Sequence, residues 1–413
     1  MTGGSPAPLM RGEKMDNIQN PLLSENAFVP DAEAHVWADG KIYIYGSRDI
    51  RGRRYYCSSK YHVFSSEDMI HWQDHGVSFK SSDISWFKGI CPLYAPDCAY
   101  RNGKYYLYYC IPDGRCGVAS SDKPYGPFKD VGQLKGVSGI DPSVFIDDDG
   151  QAYIYWGQFD EVRGAKLNED MVTLDLSTVT QPLSVAEHDF HEGSSVKKIN
   201  GKYIYLYTDT HRHKDIKPKG MATCLGYAVS DSPLSGYEYK GVVIDNFGCD
   251  PGVWNNHGSL CNIRGQWYVF YHRSTHGTEF SRHVCAEKID IRPDGHIDEV
   301  KMTSGELKAS SETPSYLACS LFGNVRIGGK PLHLSKAKKG DRAEYRFFNF
   351  EGENSIILKG DGRGVKILID SGEICSAKTD GTPAFFEKIK GRHTVTIEFD
   401  GCRTLYDLKF EVR

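Results

Sequence analysis

The 413-residue chain has no run of about 18 consecutive apolar residues, and its mean hydropathy is −0.47. A membrane-spanning helix is therefore excluded. Almost nothing reads as a long amphipathic helix, which excludes an alternation of strands and helices. Charge of one sign is also missing: 50 Lys and Arg face 54 Asp and Glu, a net of −4. That balance argues against a nucleic acid or a membrane surface as the main partner. Twelve cysteines are scattered without any C-x-x-C pair. Several sit in apolar strand-like runs (Cys110 in YYLYYC, Cys261 in GSLCNI), which suits buried thiols better than a disulfide framework. The opening MTGGSPAPLMRGEK lacks the apolar core of a secretory signal. Residues 1–14 read as a leader, and a cytoplasmic location is expected. A secreted protein freed of its signal peptide is the alternative.

Tyrosine is abundant, at 25 residues within 12% aromatics, and tyrosine favours strands. Five segments share one pattern: a polar residue, an apolar stretch, a Gly turn and alternating aromatics. They are DAEAHVWADGKIYIYG from Asp31, DCAYRNGKYYLYYC from Asp97, DPSVFIDDDGQAYIYWG from Asp141, EGSSVKKINGKYIYLYTDT from Glu192 and HGSLCNIRGQWYVFYH from His257. The turn glycines 40, 103, 150, 201 and 265 lie 63, 47, 51 and 64 residues apart. Each unit reads as a β-hairpin with Asp-Gly or Asn-Gly turn chemistry in four of the five. Such spacing gives room for a four-stranded blade. Five repeats across residues 15–305 therefore predict an all-β, five-bladed propeller.

Asp31, Asp141 and Glu192 each stand nine residues before their turn glycine, whereas the count is eight for His257 and six for Asp97. If the matched position opens the innermost strand, three carboxylates from three blades converge at one mouth of the channel. That is what cleavage of a glycosidic bond requires. One acid protonates the departing oxygen, a second carboxylate attacks or activates water, and a third raises the proton affinity of the acid. Glu33, two residues beyond Asp31 on the same strand face, is the rival for the base; the register favours Asp31.

The segments PDAEAHVW, YAPD, GIDPSVFIDDDG, FHEGSSVKKINGKYIYLYT, NNHGSL and FSRHVCAEKI follow in an order and spacing similar to glycoside hydrolase family 43, over about 290 residues. The resemblance implies a five-bladed propeller and an inverting mechanism with Asp31 as base, Glu192 as acid and Asp141 tuning the acid. It implies that Arg282 reaches the sugar. It also implies that His257 touches a structural calcium ion in the channel through water, with no cofactor needed for chemistry. Trp37 and Trp86 are candidate stacking faces for a sugar ring. Ser194 stands where the family often has Pro, and Tyr94 where it often has Trp. The implied substrate is an oligosaccharide or polysaccharide bearing terminal α-L-arabinofuranosyl groups. A β-D-xylosidase or a bifunctional enzyme is the nearest alternative, followed by a galactofuranosidase. A non-catalytic sugar-binding propeller is disfavoured because all three acids are present. The fructose-releasing group on the same architecture is disfavoured because its N-D-P-N-G and R-D-P motifs are missing. His211 and His213 read as a solvated loop rather than a metal site.

Beyond residue 305 the pattern stops. KMTSGELKASSETPS (301–315) reads as a polar linker, and the short runs from about 316 predict a small β-sandwich within 306–413. Its ending, GRHTVTIEFDGCRTLYDLKF, resembles the last strands of family 6 carbohydrate-binding modules.

Overall fold

The computed structural model describes residues 18–213, 215–216 and 221–413; the expected leader lies outside them. Five antiparallel sheets follow one another along the chain. Blade one is Glu33–Val36, Ile42–Tyr45, Lys60–Ser66 and Trp72–Lys80. Blade two is Tyr94–Arg101, Lys104–Cys110, Arg115–Ser121 and Lys129–Ser138. Blade three is Ser143–Ile146, Ala152–Trp156, Arg163–Leu167 and Leu174–Thr180. Blade four is Phe190–Ile199, Lys202–Asp209, Cys224–Ser230 and Glu238–Asp245. Blade five has three strands, Ser259–Ile263, Gln266–Thr275 and Thr278–Ile289. The first strands of neighbouring blades pack against one another, and blade five returns to blade one. The ring is closed. Tyrosines of the second strands, among them Tyr45, Tyr109, Tyr155, Tyr205 and Tyr271, are fully buried in the packing between blades.

Closure is made at the free edge of Thr278–Ile289, where an unpaired strand would otherwise invite another chain. The backbone of Leu22 donates to Val284 O at 3.0 Å. The buried Asn20 side chain donates to Ala286 O and Glu287 Oε1, both at 3.0 Å, and accepts from Ala286 N at 2.9 Å.

The equal nine-residue count has two different origins. In blades one and three the turn is long, and only its glycine takes a positive φ (Gly40 +74°, Gly150 +84°). In blade four Asn200 and Gly201 form a two-residue turn with φ of +52° and +80°, as type I′ geometry demands. A bulge between Glu192 and Ser195 restores the residue that the shorter turn saves. Blade five has the two-residue turn and an unbroken register over Ser259–Ile263, so its count to His257 is eight. In blade two the matched position is Tyr94, paired with Cys110, and not Asp97, which lies deeper along the channel opposite Tyr108.

The C-terminal region forms one eleven-stranded sheet running from Leu307–Lys308 to Leu405–Glu411. It curls around a core that includes Leu334, Tyr345, Phe348, Ile367, Val395 and Phe410. The sheet does not divide into two separately hydrogen-bonded layers, because Ser355–Ile369 is long enough to pair with both Lys390–Asp400 and Leu405–Glu411. The stretch 301–315 is no free linker. Met302, Ser304, Leu307, Ala309, Thr313 and Ser315 are buried, and Leu307–Lys308 and Thr313–Pro314 pair into the C-terminal sheet. Its small polar residues bond to backbone: Ser315 Oγ accepts from Leu334 N at 3.0 Å.

The ring closure yields a prediction. Asn20→Ala strands a buried donor and acceptor around Ala286, and should cost about 2–3 kcal/mol. Denaturant unfolding with loss of near-UV signal measures this; an unchanged midpoint would show that the propeller closes without Asn20.

Candidate active site

One residue at the matched position of each blade reaches the same place. Asp31, Tyr94, Asp141, Glu192 and His257 all line a cavity of about 280 Å³, together with Tyr56, Gln158, Trp254, Asn255 and Arg282. Asp31 and Asp141 stand two residues before the first strands of their blades begin, and both hold φ of +56°. Left-handed backbone is costly for a non-glycine residue and is typically held where function needs it. Glu192 reaches the cavity differently, from inside its strand, by way of the bulge and a side chain one methylene longer. Gly193 follows at φ +73°, and a Cβ there would stand 3.1 Å from the His257 ring. Only glycine brings these two blades so close.

Arg282 organises the acids. The residue is 2% exposed, and its guanidinium meets Asp49 through Nε–Oδ2 and Nη2–Oδ1, each 2.9 Å. Its Nη1 donates to Asp31 Oδ1 and Asn255 Oδ1, again at 2.9 Å. Cys57 Sγ lies 3.6 Å from Nη2. The five N–H groups of the fork are thus taken up by protein acceptors. Arg282 lines the cavity and orients the carboxylates of Asp31 and Asp49. Tyr56 covers it, with its ring centre 4.9 Å from Cζ.

The acids differ in environment. Burial alone would raise the Asp31 carboxyl, but Arg282, followed by His257 and His272, holds it below its ordinary range. His272 is neutral, pushed down to about 3 by burial and by Arg282. Its Nδ1 accepts from Asp31 N at 3.4 Å while Nε2 faces Asn255 O at 3.1 Å. Asp141 goes the other way: burial, then the charge of Glu192, pushes it well above its usual range. Asp141 therefore keeps its proton near neutral pH. Glu192 is held from both sides, by Gln158 Nε2 on Oε2 at 2.7 Å and Asn255 Nδ2 on Oε1 at 3.0 Å.

The remaining expected residues separate. His257 stands beside the acids, its Nδ1 3.7 Å from Asp141 Oδ2. Calcium prefers several oxygen ligands, whereas His257 offers nitrogen, the carboxylates of Asp31 and Glu192 are committed to Arg282, Gln158 and Asn255, and Asp141 holds its proton. This residue set does not fit a directly held calcium ion, leaving only a contact through water. Trp37 and Trp86 do not line the catalytic cavity. Trp37 is six residues past Asp31, about 20 Å along an extended chain at 3.3 Å per residue. There it stacks on His35 with centroids 4.8 Å apart and bonds Tyr45 Oη at 3.0 Å. Trp86 lies parallel to Tyr109 at 6.2 Å, capped by Arg115 at 5.2 Å. The aromatic wall is instead Trp254 and Tyr56. Glu33 is also outside the cavity. It is deeper in the channel, where Lys197 Nζ is 3.6 Å from its Oε2 and His35 bonds Asp97 at 2.8 Å. Burial pushes Glu33 up to about 8 against the pull of Lys197, with Asp97 adding to the rise. His211 and His213 pair with Asp189 and Asp245, each at 2.8 Å. His213 is not merely solvated: with Cys224 and Asp245 it forms a compact set of potential metal ligands.

Gln158, Trp254, Asn255, His272, Asp49 and Tyr56 escaped the sequence reading. Two had a signal. His272 is seven residues beyond its turn glycine and Gln158 eight beyond his own blade's Gly150, so the returning strands reach the same mouth.

With this geometry established, the comparisons with known proteins are decisive. The family model described as glycosyl hydrolases family 43 matches residues 18–297. The chain belongs to that family. It is a glycoside hydrolase with a five-bladed propeller. A xylosidase/arabinosidase of Thermoclostridium stercorarium is 30% identical, over 94% of this chain and 95% of its own. Xylosidase/arabinosidase 43A of Humicola insolens is 34% identical, over 67% and 98%. Among solved structures, a family 43 β-xylosidase/α-arabinofuranosidase from a compost microbial metagenome, in complex with xylotriose and in a calcium-free form, is 30% identical. It covers 69% of this chain and 98% of that one, with a TM-score of 0.60. The family 43 match ends before the C-terminal sheet, so the likeness of that sheet to a carbohydrate-binding module rests on its final strands alone.

Two stability predictions follow from the charges. Arg282→Met leaves Asp31 and Asp49 buried without a counter-charge and should cost about 3–5 kcal/mol, read by thermal or denaturant unfolding. A loss below 1 kcal/mol would mean the acids are not held by this pair. For Glu33 the folded-state value lies above the ordinary 4.5, so its contribution is full below pH 4.5 and is lost as pH rises towards 8. Glu33→Gln should therefore gain on the wild type as pH is raised, and a constant difference from pH 4.5 to 8.5 would contradict the assignment.

Proposed function

We propose that this enzyme is an inverting, exo-acting glycosidase that removes terminal α-L-arabinofuranosyl groups from arabinose-decorated plant glycans. Terminal β-D-xylosyl groups of xylo-oligosaccharides are a second substrate of the same pocket. The observation that carries this reading is the convergence of three carboxyls, Asp31 and Asp141 buried and Glu192 partly so, in unlike electrostatic settings on one small cavity. The combined xylosidase/arabinosidase names of its relatives support a pocket that accepts both pentoses.

In this mechanism Asp31, kept ionised by Arg282, takes a proton from water as that water attacks the anomeric carbon. The bond to the departing oxygen breaks, and Glu192 delivers the proton that this oxygen needs. Asp141, held protonated by its burial and by the charge of Glu192, is the store of that proton before the reaction. Gln158 and Asn255 fix the Glu192 carboxyl, Arg282 fixes that of Asp31, and His272 accepts from the Asp31 backbone. Trp254 and Tyr56 provide apolar walls for the faces of the sugar. The proton inventory closes with two carboxyls and one water.

Asp31→Asn should lower kcat by at least about a thousandfold while sugar affinity is retained, since the base acts in the transition state. Glu192→Ala should impair natural oligosaccharides far more than activated aryl glycosides, whose leaving groups need little protonation. Glu33→Gln should keep kcat within about threefold. Proton NMR of the first product anomer should show inversion, and chromogenic arabinofuranoside and xyloside should both be cleaved. Retention of configuration, or normal turnover by Asp31→Asn, would refute the assignment.

A further inference from the structure

Beside the catalytic cavity runs a second, larger depression of about 720 Å³, lined by Arg51, Arg53, Arg54, His276, Phe280 and Lys330 among others. The two are neighbours. Phe280 of the groove sets its edge against Tyr56 of the cavity, with ring centroids 4.8 Å apart. The segment Arg48–Cys57 serves both: Asp49 points inward to Arg282, and the arginines beyond it face the groove. Gly52, at φ +77°, makes the turn between them. Lys330 comes from the C-terminal domain, whose Ile327 O accepts from His276 N at 2.6 Å. The C-terminal domain thus supplies part of the wall.

The charge of this groove is unanswered. Among the described residues, Arg51, Arg53, Arg54 and Lys330 form no ion pair within 4.0 Å, although Asp and Glu outnumber Lys and Arg over the whole chain. Two of these cations meet rings instead: Arg51 lies 5.4 Å from the centre of Phe28 and Arg53 5.7 Å from that of Tyr55. Arg51 Nη2 and Ser281 Oγ are buried with no hydrogen-bond partner. Buried donors are ordinarily satisfied, and an arginine fork matches a carboxylate in shape as well as charge. Elsewhere in this molecule arginines do find carboxylates, as Arg212 does with Glu299 at 2.7 Å and Arg392 with Glu306 at 2.8 Å.

We propose that this groove binds the carboxylate of an acidic sugar, a uronic-acid branch carried on the part of the glycan that leaves when the terminal pentose is cut. The proposal rests on the reading of the adjacent cavity as the catalytic pocket: with the terminal sugar seated there, the rest of the chain passes over Tyr56 and Phe280 towards the arginines. Neutral stretches of the same glycan still bind, through the cavity alone.

The test separates binding from turnover. Calorimetry on the Asp31→Asn protein compares xylotriose with the same trisaccharide bearing one glucuronosyl branch, at 20 mM and 500 mM NaCl. The acidic sugar should bind about five- to tenfold more tightly at low salt, the sum of two exposed charge contacts, and the advantage should vanish at high salt. Arg53→Gln/Arg54→Gln, both exposed, should erase that advantage and leave xylotriose binding unchanged within twofold. Equal affinity for the two sugars at low salt overturns the proposal. So does competition by inorganic phosphate at concentrations where free glucuronate is ineffective, which would assign the groove to phosphate. Cleavage of neutral xylotriose by the wild type is scored separately: its absence counts against the catalytic reading and leaves the binding comparison intact.

Discussion

A single buried guanidinium holds the working end of this propeller together. Arg282, on the last strand of the last blade, spans Asp49 and Asp31 from the first blade and Asn255 from the connection into the fifth. Burying an arginine is expensive unless its charge and its donors are met, and here the same contacts that meet them set the geometry of the acids. The ion pair also crosses the seam where the ring closes. Catalytic order and closure of the fold are therefore coupled, and the Asn20 bridge to Ala286 a few residues along the same strand strengthens the coupling.

The acids around that guanidinium are alike in chemistry and unlike in behaviour. Asp31 sits against positive charge and stays ionised, whereas Asp141 sits against Glu192 and takes up a proton. Separating acid from base in this way needs only the placement of one arginine and one like-charged neighbour in a buried site. Deeper in the channel Glu33, Asp97 and Lys197 repeat the theme without lining the cavity. Lys197 supplies the positive charge that keeps those carboxylates tolerable inside the ring.

Much of the fold was legible because blades repeat. Turn glycines at near-regular spacing and alternating aromatics specify hairpins locally, and five hairpins without helices leave few architectures. The three acids were legible through their common distance from the turn. Yet that count concealed a compensation, since blade four pairs a shorter turn with a bulge. Starting blade two at its leading polar residue, Asp97, also hid the matched place, which belongs to Tyr94, nine residues before Gly103. Trp37 and Trp86 were misread because aromatic residues serve equally well in the packing between blades, and composition does not distinguish a wall from a core.

By itself the sequence determined the strand-and-turn units, their number, and which polar residues open the first strands, because each depends on contacts within about fifteen residues. Only the tertiary structure decided which side chains meet across blades: Arg282 with Asp31 and Asp49, Gln158 and Asn255 with Glu192, Trp254 and Tyr56 as walls. Those contacts join residues up to 251 positions apart. Their geometry is set by the curvature and closure of the ring, which no local pattern of residues encodes.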